Sequence, residues 1–293
     1  MPELPDLTLY LDALRTRTVG QPVRDVRIAA PALLKTFDPP IESVCDRLVV
    51  EVRLLGKKIA WGLEGNLWIV MHLMVAGRLH WRNAGASVPN KTGLAAFDFP
   101  HGSLILTESG ARRLARLWIV KSPELRTLDP GGLDPLTSTL PDFVLALQRE
   151  NHTLKRALTL PHLLSGIGNA YSDEILHRAQ LSPCQLTQNL SAEELARLHA
   201  ATAQTLRHWI SSLREMTGDD WPEKVTAFRS GMAVHGRFGK PCPICKSPIQ
   251  RIVRTTNEVN YCATCQTGGK VLADRSLSRL LQKDWPSRIE DWE

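Results

Sequence analysis

Hydrophobic residues near the start of the chain recur at helical spacing, and further along they fall into short runs. Leu7, Leu11 and Leu14 lie three or four positions apart, which predicts a helix with one apolar face. From about residue 16 to 125 the apolar runs are cut by Gly, Pro and Asn, and they read VRDVRIAA, RLVVEVRLL, KKIAWGL, NLWIVMHL, AAFDF and SLILT. Short runs with frequent turn signals predict a two-layered antiparallel β-sandwich beside the N-terminal helix in residues 1–125.

The second half of the chain changes to helical patterns. Residues 122–141 contain four prolines and two adjacent glycines, and we interpret residues 126–141 as a linker between domains. Helices are then predicted for Phe143–Leu164, Asn169–Arg178 and Ser191–Arg214, with a Gly-rich break before Asn169. These patterns indicate an α+β protein whose residues 142–235 form a helical domain.

Four cysteines follow at the spacing of a zinc site. Two C-x2-C pairs, Cys242/Cys245 and Cys262/Cys265, have sixteen residues between them, and the residues between the pairs suit a two-stranded hairpin. This predicts a zinc ribbon in residues 236–268, with one structural Zn2+ because four thiolates leave no position for water. Two disulfides are the alternative interpretation. The hairpin is expected to project a polar, partly basic finger formed by Gln250, Arg251, Arg254, Thr255, Thr256 and Asn257.

Composition adds a modest preference for an anionic partner. The 293 residues carry a net charge of +6 and a pI near 9.1, which favours nucleic acid among possible partners. Neither a membrane-spanning run nor a signal-peptide pattern is found, so we expect no membrane association and a cytoplasmic monomer with Cys45 and Cys184 reduced.

Pro2 and Glu3 are candidates for covalent chemistry. If Met1 is removed, Pro2 becomes a secondary amine with a pKa of about 8, which suits attack on the C1′ carbon of a sugar to form an iminium. Glu3 would stand beside it as an acid or base. The simpler interpretation is that Pro2 only opens the first helix.

Several motifs together resemble the formamidopyrimidine-DNA glycosylase and endonuclease VIII family. They are MPELPDL, RLLGKKI, HLMVAGRL, SGIGNAYSDEILHRAQLSP and the ribbon, in the family's order over nearly the whole chain. The resemblance implies a helix-two-turns-helix domain, damaged DNA as partner, and a nucleoid-associated repair enzyme with glycosylase and AP lyase activity by β- or β,δ-elimination.

The resemblance also implies individual roles. Pro2 matches the nucleophile, Glu3 the general acid/base and Lys57 a lysine that contacts the lesion phosphate. Asn169 and Lys155 match phosphate-binding residues of the helix-two-turns-helix motif. Glu174 matches an acid that helps to hold the N-terminal region, and Asp6 stands where the family usually has glutamate.

Other positions depart from the family pattern. Val75 stands where a methionine fills the gap left by the flipped base, and Leu114 stands where a phenylalanine wedges the stack, beside Arg112 and Arg113. Asn257 falls on the arginine of the finger tip, with Arg254 close by as a substitute. These changes leave open an alternative, a non-catalytic DNA-lesion or DNA-structure binding protein. Residues 269–293 are expected to form an accessory tail with a short helix through Leu272, Leu277, Leu280 and Leu281.

Overall fold

The computed structural model describes residues 1–110, 112–226, 228–255, 257–272 and 287–291. Its helices are α1 (Leu4–Thr18), α2 (Ser122–Leu128), α3 (Leu140–Gln148), α4 (Leu154–Thr159), α5 (Asn169–Ala179), α6 (Ala192–Thr217) and α7 (Ala263–Thr267). Its strands are β1 (Asp25–Ile28), β2 (Val49–Leu55), β3 (Lys58–Leu63), β4 (Leu67–His72), β5 (Gly77–Arg82), β6 (Gly93–Phe99), β7 (Gly102–Glu108), β8 (Arg116–Lys121), β9 (Gln250–Val253) and β10 (Glu258–Tyr261). Within these ranges, no helix is long and apolar enough to cross a membrane.

Two four-stranded antiparallel sheets form the predicted sandwich. Their strand orders are β1-β6-β7-β5 and β2-β3-β4-β8. The core between them includes Trp61, which is fully buried and meets the rings of Phe97 and Phe99 edge-on at 5.2 and 5.7 Å. From α1, Tyr10 and Leu14 enter the same core with no exposed surface. The α+β class and the sandwich are therefore confirmed.

The chain divides into two compact units. The first comprises Met1–Gly131 together with Trp209–Ala227, and the second comprises Gly132–His208 together with Phe228–Glu293. The first division falls inside the predicted linker. The second falls within α6, so residues 209–227, which the sequence pattern assigned to the helical domain, pack with the sandwich.

An aromatic side chain ties this returning segment to the sandwich. Trp221 donates its indole N–H to the carbonyl of Leu79 at 2.8 Å, and its ring lies 5.6 Å from Tyr10 and 6.1 Å from Trp81. Each such buried aromatic contact adds roughly 1 kcal/mol beyond the area that it buries. The segment is therefore part of the first unit's core.

Three elements of the structure were not predicted from the sequence. Strands β5 and β8 were not predicted, and α2 occupies part of the proline-rich stretch assigned to the linker. Pro123 stands in the first turn of α2, where a missing N–H costs nothing, and Glu124 accepts from the backbone N–H of Lys121 at 3.0 Å. Pro123 therefore begins a helix in the first part of this stretch, whereas the division between the two units at Gly131 and Gly132 falls in the remainder.

The predicted helix Phe143–Leu164 is two helices, α3 and α4. In the break between them the backbone bonds to another segment: Thr187 Oγ1 donates to the carbonyl of Glu150 at 2.9 Å, and the Thr187 N–H donates to the carbonyl of His152 at 2.9 Å. Backbone groups used in this way cannot extend the helical ladder.

The described part of the C-terminal stretch pairs with itself. The N–H of Val271 donates to the carbonyl of Ser287, and that of Ile289 to the carbonyl of Gly269, each at 2.8 Å. The predicted tail helix involves Leu277, Leu280 and Leu281, which lie outside the described residues.

Candidate functional site

Strand register brings several loops of the first unit to one end of the sandwich. Lys58 of β3 pairs with His72 of β4, and His72 pairs with Arg116 of β8. On the other sheet Gly77 of β5 pairs with Glu108 of β7. The β2–β3 turn and the two connections between the sheets, residues 73–76 and 109–115, therefore lie together, and we call this region the sandwich end.

The start of the chain is held rigidly. Pro2 is buried and Glu3 is 3% exposed. Glu3 is the residue before α1, and its backbone N–H donates to Asp6 Oδ2 at 3.1 Å, as in a capping box. The shorter Asp6, where glutamate is usual in the family that the motifs resemble, thus still fixes the peptide between Pro2 and Glu3.

Electrostatics place the start of the chain at the sandwich end. Burial lowers the pKa of the Met1 amino group. The negative charges of Glu3 and Asp6 oppose this shift, and the positive charges of Arg78 and Lys57 add to it. An amine in these surroundings is biased towards its neutral, nucleophilic form. The arrangement suits chemistry at the first residues of the chain.

Two adjacent lysines have different surroundings in the β2–β3 turn. Lys58 Nζ donates to the carbonyl of Leu128 at 2.7 Å, and burial lowers its pKa. Lys57 is half-buried, and its charge acts on the start of the chain and on His72. The turn needs Gly56, whose φ is +61° and whose added Cβ would lie 2.7 Å from Pro130 Cγ.

The 73–76 connection presents an apolar side chain to solvent. Gly77 N–H donates to the carbonyl of Leu73 at 2.9 Å, and a Cβ on Gly77 would lie 2.3 Å from that oxygen. The backbone N–H of Met74 donates to His72 Nδ1 at 3.2 Å. Val75, at the tip, is 59% exposed. A loop braced in this way can hold a side chain out as a wedge.

A buried carboxylate holds the 109–115 connection. Glu108 is 2% exposed, and its Oε2 accepts from the backbone N–H groups of Leu114 at 2.7 Å and Ala115 at 2.9 Å. Sequence reasoning missed Glu108, because its partners are main-chain groups. Leu114 is 43% exposed, so it is available beside Val75 at the same end.

Positive charge surrounds these apolar tips. Arg112 and Arg113 are exposed, and Arg113 Nη2 donates to the carbonyl of Lys91 at 2.7 Å. Burial lowers the pKa of His72 to about 4, and the charges of Lys58, Lys57 and Arg116 act in the same direction. His72 is consequently neutral at pH 7. The sandwich end is a cationic surface carrying two apolar tips, which suits an anionic, stacked ligand.

The second unit places Lys155 and Asn169 together in a buried network. Lys155 is 5% exposed, and its Nζ donates to the carbonyl of Asn169 and to Asp173 Oδ1, both at 2.6 Å. Asp173 Oδ2 is 2.8 Å from His235 Nδ1. Two of the three ammonium donors of Lys155 are used inside the unit, so a phosphate contact by Lys155 would use the third. Sequence reasoning did not anticipate His235.

Glu174 binds backbone within its own unit. Its carboxylate accepts from the N–H groups of Ala233, Val234 and His235 at 2.7, 2.9 and 2.9 Å. These bonds fasten α5 to the segment that precedes the ribbon. The role in holding the N-terminal region, which the resemblance implies for Glu174, stays a prediction.

The ribbon hairpin is attached to the start of α5. Asn169 Nδ2 donates to the carbonyl of Glu258 in β10 at 3.0 Å. At the tip, the Arg254 N–H donates to the carbonyl of Asn257 at 2.8 Å, and both side chains are exposed. Gln250, which was expected on the finger, is instead 3% exposed, because its amide bonds to the backbone below the strands. Thr256 lies outside the described residues.

The four ribbon cysteines converge. The Sγ atoms of Cys242, Cys245, Cys262 and Cys265 all lie within 4.8 Å of one another. All four are free thiols, and His177 Nε2 lies 3.3 Å from Cys242 Sγ. A compact set of four sulfurs suits a tetrahedral, thiophilic cation. We call these cysteines, the hairpin and the first turns of α5 the α5–ribbon cluster.

Two family profiles match the chain. One, described as the formamidopyrimidine-DNA glycosylase N-terminal domain, matches residues 1–117. The other, described as the formamidopyrimidine-DNA glycosylase H2TH domain, matches residues 132–218.

Individual proteins show the same similarity. An uncharacterized formamidopyrimidine-DNA glycosylase-like protein of Mycobacterium tuberculosis is 40% identical over 161 residues, which cover 55% of this chain and 98% of that protein. A formamidopyrimidine-DNA glycosylase of Thermus thermophilus is 30% identical over 285 residues, which cover 92% of this chain and all of that protein.

Solved structures share the fold. The crystal structure of the MutM (Fpg) protein of Thermus thermophilus aligns with a TM-score of 0.76 and 29% identity, covering 90% of this chain and 98% of that one. Lactococcus lactis Fpg, in a complex with DNA containing an abasic site, aligns with a TM-score of 0.79 at 21% identity, covering 90% of this chain and 99% of that one.

Proposed function

Since the chain belongs to the formamidopyrimidine-DNA glycosylase and endonuclease VIII family, we propose that it is a base-excision-repair DNA glycosylase that also cleaves the strand at the abasic site. Its substrate in this proposal is damaged DNA, and Lactococcus lactis Fpg forms a complex with DNA that contains an abasic site. The sandwich end carries the chemistry, and the α5–ribbon cluster binds the DNA backbone.

Pro2 and Glu3 perform the chemistry in this proposal. After removal of Met1, the nitrogen of Pro2 forms a bond to C1′, the bond from C1′ to the base breaks, and Glu3 supplies a proton to the departing base. The nitrogen then loses its proton and the bond from C1′ to the ring oxygen breaks, with the oxygen taking up a proton, which gives an iminium. Loss of a C2′ proton expels the 3′ phosphate by β-elimination, and a further elimination can expel the 5′ phosphate.

The cationic residues of the sandwich end then serve binding. Lys57 is the candidate contact for the lesion phosphate, because it matches the family's lysine in the β2–β3 turn and its charge acts on the start of the chain. Val75 and Leu114 occupy the space that the flipped base leaves, with Arg112 and Arg113 beside them. Unstacking costs a few kcal/mol per step, which contacts to bent DNA must offset.

The second unit supplies further phosphate contacts in this proposal. Asn169 at the N-terminus of α5, Lys155 beneath it, and Arg254 with Asn257 at the hairpin tip face the backbone of the damaged strand. Zn2+ held by Cys242, Cys245, Cys262 and Cys265 would fix the hairpin and take no part in the reaction.

One observation carries the proposal: Pro2 and Glu3 are both buried, and burial lowers the pKa of the Met1 amino group directly before them. The test is borohydride trapping on a duplex with an abasic site, preceded by mass spectrometry of the N-terminus. We expect a covalent adduct with the wild type and strong loss with Pro2→Gly. Equal trapping of both proteins would refute the assignment of Pro2.

A non-catalytic DNA-lesion binding protein is the alternative, favoured by the departures at Val75, Leu114 and Asn257. It predicts selective binding of the abasic duplex with no adduct and no strand cleavage. The trapping experiment therefore separates the two functions directly.

A further inference from the structure

Two histidines bind both oxygens of one carboxylate in the second unit. His152 Nε2 lies 2.7 Å from Glu150 Oε2, and His162 Nε2 lies 2.9 Å from Glu150 Oε1. These bonds, that from His162 first, hold the pKa of Glu150 below its usual range. Neither histidine nor Glu150 has a role in the proposed chemistry.

The three residues lie on either side of α4. Glu150 and His152 are in the break that precedes α4, and His162 is in the turn that follows it. With only six residues, α4 is too short to be stable alone, so its position depends on what holds its two ends. The bond between Glu150 and His162 joins those ends.

The helix fixed in this way carries Lys155 in its first turn. Lys155 Nζ reaches the carbonyl of Asn169, the first residue of α5, at 2.6 Å. Asn169 begins α5, and this N-terminus is the positive end of the helix dipole. The position of α4 and the position of this helix N-terminus are therefore linked through one ammonium group.

We propose that Glu150 is a positioning residue for DNA binding: its carboxylate, held by His152 and His162, fixes the two turns around α4 and so keeps Lys155 and Asn169 placed for a DNA phosphate. This inference rests on the proposed function. The side chains of Glu150 and His162 are 39% and 42% exposed, and exposed pairs contribute little to stability. Their loss should change binding more than unfolding.

The test is a salt titration of the affinity for an abasic duplex, with the full chain at a temperature far below its unfolding. Glu150→Ala and His162→Ala should weaken binding about three- to tenfold and flatten the slope of log affinity against log salt by up to about one, the contribution of one phosphate. His162→Gln, whose amide can still donate to Glu150, should remain within about twofold of the wild type.

His199→Ala is the matched control. It also removes a histidine that joins two segments of the second unit, since His199 Nε2 bonds the carbonyl of Ser138 at 3.0 Å, but it lies outside α4 and its turns. Its salt slope should equal that of the wild type. If Glu150→Ala keeps the wild-type affinity and slope, or if His199→Ala alters them equally, the inference fails while the proposed function stands. If the wild type itself does not bind the duplex, both fail.

Discussion

The sandwich end and the α5–ribbon cluster hold their candidate residues by different means. At the sandwich end, strand register and tight turns bring short loops together, and the side chains at their tips, such as Val75, stay exposed. In the α5–ribbon cluster, buried charges hold backbone: Glu174 accepts three N–H groups, and Lys155 is locked by Asp173. The sandwich end is thus shaped mainly by strand register, together with the buried carboxylate of Glu108, whereas buried charges and, as proposed, a metal shape the second unit's candidate site.

Removal of the metal should unfold the hairpin of the α5–ribbon cluster and leave the sandwich end intact. Structural zinc contributes on the order of 10 kcal/mol of apparent binding free energy in small ribbons, so chelation or Cys262→Ser should unfold the hairpin and abolish DNA binding. Cys184→Ser, a cysteine of the same unit outside the cluster, is the control. Electrophoretic mobility shift measures the loss. A cobalt-substituted protein with an exchangeable water on the metal would contradict a purely structural site.

The converse experiment alters the proposed chemistry at the sandwich end and leaves the α5–ribbon cluster unchanged. Glu3→Gln removes the proposed acid, and base release should fall roughly 10²- to 10⁴-fold, while DNA affinity changes by less than about twofold. Some cleavage of preformed abasic sites should persist, because only base departure needs the full acid. Single-turnover excision measures the rate, with the exposed Glu42→Gln as control. Normal excision by Glu3→Gln would remove Glu3 from the mechanism.

Lowering the pH should reduce the free energy of unfolding through protonation of His72 at the sandwich end. Its pKa is about 4 in the folded protein, and an unfolded imidazole titrates near 6.5. Between these values the unfolded chain binds more protons, so stability is lost as the pH falls from about 6.5 to 4, by at most about 3 kcal/mol. His72→Gln should flatten this dependence in thermal unfolding, and exposed His101→Gln should not. The same slope in His72→Gln as in the wild type would show that other groups are responsible.

The smallest expected effect concerns the hairpin tip. If Asn257 replaces a phosphate-binding arginine, Asn257→Arg should steepen the slope of log affinity against log salt by about one unit, whereas Lys57→Ala and Arg254→Ala should flatten it. Arg254 and Asn257 are joined across the turn by a backbone bond, and both side chains are exposed at the hairpin tip. An unchanged slope in Asn257→Arg with a flatter one in Arg254→Ala would show that Arg254 already makes the contact.

The sequence predicted best those features that depend on spacing alone. The four cysteines converge, with the first C-x2-C pair on a turn and the second at the start of α7, and short apolar runs became strands of the expected sandwich. The sequence did not predict features that depend on hydrogen bonds to backbone groups. Glu108 and Glu174 each bind backbone N–H groups, which carry no residue-type signature. The break between α3 and α4 was likewise invisible, because residue 187 competes for its backbone from far along the chain.

The return of residues 209–227 to the first unit limits how the chain can be divided. A fragment that ended at Gly131 would keep both sheets yet lose Trp221, leaving the carbonyl of Leu79 without its indole donor and Tyr10 without the ring of Trp221. The first unit is in this sense discontinuous along the chain. Recombination or domain grafting with a relative would therefore have to exchange two separated stretches together, although the family's N-terminal profile ends at residue 117.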